Sequence, residues 1–132
     1  MQEELRGAET ILLVEDEELL LELVQSLLES KGYTTLIARD GYAAVKMYTE
    51  HRGEIDLVLT DLGLPGLSGW EACKQMKALD PDLKVVVATG YLDPSLKEEM
   101  VESGVEEFIQ KPYLAAELTT AVRSLLDAKV KP

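Results

Sequence analysis

The sequence predicts an α/β domain built on a parallel sheet, from three observations. Short apolar runs rich in β-branched residues recur along the chain, amphipathic stretches of helical period separate them, and capping or turn residues stand at the joins. The first run, residues 11–14 (ILLV), leads into a helix whose apolar stripe is Leu19, Leu20, Leu23, Val24, Leu27 and Leu28. Gly32 is placed to close it. The second run, residues 34–38 (TTLIA), precedes a helix marked by Ala44, Met47 and Tyr48, with Gly53 just past its end. After the third run, residues 55–59 (IDLVL), Ser68 to Glu71 fits a capping box, and Ala72, Cys73, Met76 and Leu79 continue the helix. The fourth run, residues 85–88 (VVVA), is followed by Asp93-Pro94 as N-cap and first helical position, with Leu96, Met100 and Val101 inward and Gly104 beyond. The short run Phe108-Ile109 and the stripe Leu114, Leu118, Ala121, Val122 and Leu125 complete a (βα)5 pattern. Two sheet orders are natural for it, and the doubly wound order 2-1-3-4-5 suits this length. Residues 1–9 read as a linker or cloning remnant, 10–128 as the domain, and 129–132 as a tail.

Composition narrows the function. The 132 residues suffice for one domain, and 46% hydrophobic with 29% charged residues is ordinary globular composition. Twenty-five acidic against 13 basic residues give a net charge of −12, which argues against direct nucleic-acid binding. A single cysteine, Cys73, excludes an internal disulfide framework and a Cys-based zinc site. The apolar runs are too short to span a bilayer, and MQEELRGAET has no apolar signal core. The expectation is a cytoplasmic protein without direct membrane contact.

In an open parallel sheet, ligands bind beyond the carboxyl ends of the strands. The first polar residues there are Glu15 and Asp16 after strand 1, Asp61 after strand 3, Thr89 and Gly90 after strand 4, and Lys111 after strand 5. In the order 2-1-3-4-5 these converge. Two carboxylates about 4 Å apart repel by roughly 4 kcal/mol at an effective dielectric near 20. Such a cluster raises a pKa or recruits a cation, and oxygen ligands on a loop rim suit Mg²⁺. Lys111 can pair with Asp61 or with a phosphoryl oxygen, Thr89 can donate a hydrogen bond, and Asp61 is a plausible covalent acceptor.

The segments ILLVEDEE, LVLTDLGLPGLSGWE, VVVATGY and FIQKPY follow one another in register. Together they make residues 10–126 resemble a response-regulator receiver domain of two-component signalling. The wording of LRGAETILLVEDE, TDLGLPGLSG and ATGY is most similar to receivers attached to hybrid sensor histidine kinases, which leans the reading towards a domain of a larger protein. The resemblance implies a flavodoxin-like fold, five parallel strands in the order 2-1-3-4-5 with helices on both faces. It also implies that Asp61 accepts a phosphoryl group from a histidine kinase or histidine phosphotransfer protein. Glu15, Asp16, Asp61 and the Gly63 backbone carbonyl would hold Mg²⁺ or Mn²⁺, Asp16 directly and Glu15 often through water. Thr89 would be the switch hydroxyl, Phe108 the switch aromatic, and Lys111 the phosphate-contacting lysine ahead of a cis Lys111-Pro112 bond. The surface of helix 4, strand 5 and helix 5 would respond, with homodimerisation as one use of it. No independent substrate turnover is expected beyond phosphorylation and dephosphorylation of Asp61 itself. Two departures stand out: Gly63, where many receivers carry a longer side chain, and Phe108 in place of tyrosine.

Two rivals are set against this reading. A receiver that signals by contact alone usually lacks the acidic pair or the acceptor, and both are present here. A haloacid-dehalogenase-type phosphatase would place a second aspartate where Gly63 stands. Around the expected site, Trp70 reads as packing, Tyr91 as a lid or partner contact, His51 as a surface side chain and Cys73 as an inert core thiol.

Overall fold

The computed structural model describes residues 7–128. The apolar runs form five strands: β1 (Thr10–Val14), β2 (Thr34–Ala38), β3 (Leu57–Asp61), β4 (Val85–Thr89) and β5 (Glu107–Gln110). Five helices alternate with them: α1 (Glu18–Ser30), α2 (Gly41–Glu50), α3 (Gly69–Leu79), α4 (Pro94–Glu102) and α5 (Ala115–Asp127). The strands pair in parallel in the order β2-β1-β3-β4-β5. This is the flavodoxin-like (βα)5 arrangement expected from the sequence.

Residues of β1, β3 and β4 point alternately to the two faces of the sheet, and both faces are covered. Leu12, Val14, Val58, Val85 and Val87 pack with Ala44 and Tyr48 of α2, Ala72, Cys73 and Met76 of α3, and Met100 of α4. On the other face, Ile11, Leu13, Leu57, Leu59 and Val86 meet Leu21, Val24 and Leu28 of α1 and Leu118, Val122 and Leu125 of α5. The ends of α1, α3 and α4 follow their sequence signals, although of the capping box expected at Ser68 and Glu71 only the Ser68 half forms, the Glu71 carboxylate pairing with Lys74. The Asp40 cap of α2 was not singled out in the sequence. Asp40, Ser68 and Asp93 accept the Ala43, Glu71 and Leu96 N–H groups as N-caps, and Gly32 and Gly104 take positive φ past α1 and α4.

The expectations for several side chains are corrected. Leu19 and Leu23, placed on the inward stripe of α1, are 74% and 68% exposed, and Leu21 takes the core position. Val101 of α4 is exposed beside the buried Met100, and Leu114 is an exposed residue just before α5. β3 begins two residues later than the apolar run, with Ile55 buried ahead of it. Residues 7–9 make defined contacts: the Gly7 N–H donates to the Lys31 carbonyl, and Glu9 forms an ion pair with Arg123 of α5. Residues 1–6 and the expected tail 129–132 lie outside the described residues.

Candidate functional site

Glu15, Asp16, Asp61, Thr89 and Lys111 stand at the carboxyl ends of strands because the apolar runs end there, whereas Gly63 lies in the loop past β3 and Phe108 within β5. Glu15 follows β1 directly and its side chain is 6% exposed. Its two oxygens are both engaged: Oε1 accepts from Lys111 Nζ at 2.9 Å, and Oε2 accepts the Glu17 N–H at 3.1 Å. These bonds make its burial tolerable. Asp16 is exposed at the rim. Asp61 ends β3, in register with Ala88 of β4, and its side chain is 14% exposed. Carboxylate oxygens of Glu15, Asp16 and Asp61 all lie within 4.8 Å of one another.

Lys111 enters this cluster from the end of β5, where its N–H donates to the Thr89 carbonyl at 2.8 Å. Its ammonium lies 2.9 Å from Glu15 and 3.2 Å from Asp61 Oδ2. Burial works against that charge, but the Glu15 hydrogen bond and the Asp61 and Glu15 charges outweigh it, and the Lys111 pKa is raised. The Lys111-Pro112 bond is cis. Tyr113, which the sequence reading did not single out, lies close enough to feel the same charges. Burial first, opposed by Lys111 and aided by Glu15 and Asp61, pushes its phenol up to about 12.

The remaining residues surround this core. The Thr89 hydroxyl donates to the Tyr91 carbonyl at 3.1 Å. Phe108 is half-buried, with Lys97 Nζ 5.4 Å from its ring centre. A hollow of about 560 Å³ between β5 and α4 is lined by Thr89, Tyr91, Lys97 and Phe108 among others. Gly63 is exposed with open space on its Cβ side, and the Leu64 N–H donates to the Leu62 carbonyl across it at 3.0 Å. Trp70 is buried and donates its indole N–H to Glu99 of α4. His51 pairs with Glu54 at the surface, Tyr91 is exposed, and Cys73 is fully buried with burial pushing its thiol up to about 12.

The sequence gives no sign of why Asp61 is held where it is. A Cβ on Gly69 would stand 2.0 Å from the Asp61 carbonyl oxygen, so the start of α3 can lie against the end of β3 only with glycine there. No local pattern reveals such a requirement, because the contact is between α3 and β3.

Chemically, three carboxylates face one ammonium. The donors are hard oxygens, and octahedral Mg²⁺ spans ligand oxygens up to about 4.2 Å apart directly and wider pairs through bound water. The cluster fits such an ion.

Comparison with known proteins bears on this arrangement. A family model described as the response regulator receiver domain matches residues 11–123. The sporulation initiation phosphotransferase F of Bacillus subtilis (strain 168) is 33% identical over 121 residues, which cover 92% of this chain and 96% of that protein. The sensor kinase CckA of Brucella abortus (strain 2308) is 30% identical over 124 residues, which cover 94% of this chain but 13% of the kinase. Among solved structures, the receiver domain of the sensor histidine kinase PA1611 from Pseudomonas aeruginosa PAO1 superposes with a TM-score of 0.80 at 26% identity. That match covers 92% of this chain and all of the other, whose structure has a magnesium ion coordinated in its active-site cleft.

Proposed function

The chain belongs to the response regulator receiver domain family of two-component signalling, and from that footing we propose that it is a phosphoacceptor receiver whose Asp61 takes a phosphoryl group from a histidine kinase or histidine phosphotransfer protein. The observation that carries this reading is the gathering of Glu15, Asp16 and Asp61 within 4.8 Å, with the Lys111 ammonium 3.2 Å from Asp61. Residues from β1, β3 and β5 meet there, and no packing need explains three carboxylates at one sheet end.

Asp16, Asp61 and the Gly63 carbonyl would hold Mg²⁺, with Glu15 contributing through water. When bound, the ion supplies positive charge against the phosphoryl oxygens. An Asp61 oxygen attacks phosphorus in line. The bond from phosphorus to the donor imidazole breaks, the imidazole leaves neutral with a proton taken up from solvent, and the new bond makes an aspartyl phosphate, a mixed anhydride. Lys111 shifts from Asp61 to a phosphoryl oxygen, and Glu15 keeps it anchored meanwhile. Thr89 exchanges the Tyr91 carbonyl for a phosphoryl oxygen, and Phe108 turns into the hollow that it lines. The α4–β5–α5 surface then changes as a population shift between two conformers. Phe108 has no hydroxyl, so its part in this is packing alone.

The test is incubation with Mg²⁺ and acetyl phosphate, followed by intact mass measurement. The expected result is the gain of one phosphoryl group by the wild type and none by Asp61→Asn. A wild type whose mass does not change would favour a receiver that works by contact alone.

A further inference from the structure

The loop between β3 and α3, residues 62–68, carries the Gly63 carbonyl, and α2 braces it. We infer that Gly41 and Tyr42, at the start of α2, are positioning residues that fix this loop and thereby the metal affinity of the pocket. The inference rests on the phosphoacceptor reading above.

Gly41 is buried, and its φ is not positive, so its backbone would accept any side chain. The space would not. A Cβ on Gly41 would stand 2.1 Å from the Leu67 carbonyl oxygen and 2.8 Å from the Leu67 carbonyl carbon. That obstacle is backbone, which no rotamer change relieves. The next residue covers the loop one position earlier. Gly66 has φ +71, and a Cβ there would lie 3.1 Å from Tyr42 Cε2, so the tyrosine ring fills the side of the turn. Two consecutive α2 residues therefore touch two consecutive loop residues. The helix start is itself fixed, because Asp40 accepts the Ala43 N–H at 2.7 Å.

The other end of the loop is tied to the acceptor strand. The Leu64 and Gly69 N–H groups both donate to the Leu62 carbonyl, at 3.0 and 3.2 Å. Gly69 abuts the Asp61 carbonyl. Leu67 stands two residues before Gly69 and four after Gly63, so a push on it is passed along the chain towards the Asp61 carbonyl on one side and Gly63 on the other. Gly41 has no side chain to offer a ligand and the Tyr42 ring lies against Gly66, so their effect runs through the loop. Groups that orient metal ligands without touching the ion typically alter affinity by about 10–100-fold.

The experiment measures Mn²⁺ affinity by electron paramagnetic resonance of the free ion, with Mg²⁺ as competitor, and amide hydrogen exchange at Leu64 and Gly69 without metal. Gly41→Ala should raise the dissociation constant about 10-fold and speed exchange at both amides. Tyr42→Ala should do the same to a smaller degree, and Tyr42→Phe, which keeps the ring, should restore wild-type values. If Gly41→Ala does not fold, the exposed Tyr42 carries the test through its two variants. Wild-type affinity and exchange in Gly41→Ala and Tyr42→Ala would overturn the inference alone. A wild type that binds neither ion would overturn the phosphoacceptor reading and this inference with it.

Discussion

Lys111 shows how one side chain holds the pocket together before any ligand arrives. It sits between Glu15 and Asp61, and without it two largely buried carboxylates face each other uncompensated. Lys111→Ala should therefore cost about 2 kcal/mol of stability in metal-free protein. Urea unfolding should show a smaller cost at saturating Mg²⁺, because the divalent ion replaces the lost charge. A second residue pair gives a pH signature. The Arg123 hydrogen bond holds the Glu9 carboxyl at about 2, against the desolvation that raises it, where its ordinary value is 4.5. Its folded pKa lies below its unfolded one, so the pair stabilises fully above about pH 4.5 and fades as pH falls towards about 2. The difference in urea midpoint between wild type and Glu9→Gln should follow that course. At this scale the strand-end polar residues were legible in the sequence, because a polar residue closing an apolar run has few other reasons to be there. Glu15 as the nearer partner of Lys111 was not, and neither was the glycine requirement at Gly41 and Gly69. The Glu15 pairing and the Gly41 requirement depend on segments distant in sequence, and the Gly69 requirement on how α3 folds back against β3.

Elements were legible in number and kind, and less so in rotation. In α1, leucines at 19, 20, 21, 23, 27 and 28 satisfy more than one helical stripe, so the pattern could not say which face turns inward. The packed face runs through Leu21, Val24 and Leu28. Leu21→Ala should cost about 2–4 kcal/mol, whereas Leu23→Ala should stay within about 0.5 kcal/mol, both read by chemical denaturation. Helix α4 poses the same question in a shorter form. Met100 is its one fully buried residue, and Val101 faces out. The helix is also held to α3 by the Trp70 indole on Glu99, with Lys74 3.8 Å from the same carboxylate. Glu99→Ala should lower stability by about 1 kcal/mol and shift the Trp70 emission, since Trp70 is the sole tryptophan.

For the whole molecule, the two-sided core follows from nearly continuous apolar strands, whereas the pattern left two sheet orders open and the family resemblance supplied 2-1-3-4-5, the order the structure has. Charge acts here too. A net charge of −12 repels itself in the compact state, so added NaCl should raise the urea midpoint. At matched ionic strength, Mg²⁺ should raise the unfolding free energy further, by about 2.7 kcal/mol at 100 times its dissociation constant. Asp16→Asn should keep the NaCl effect and lose most of the additional Mg²⁺ effect.

The sealed position of Cys73 has a practical side. A thiol at about 12 is ionised in roughly one molecule in 10⁵ at neutral pH, and its sulfur is closed off from reagents by the sheet and α3. Maleimide dyes and nitroxide spin labels will pass it by. A cysteine introduced at the exposed Tyr91 would then take the probe by itself, giving a reporter of local environment and mobility on the β4–α4 turn in an otherwise native background.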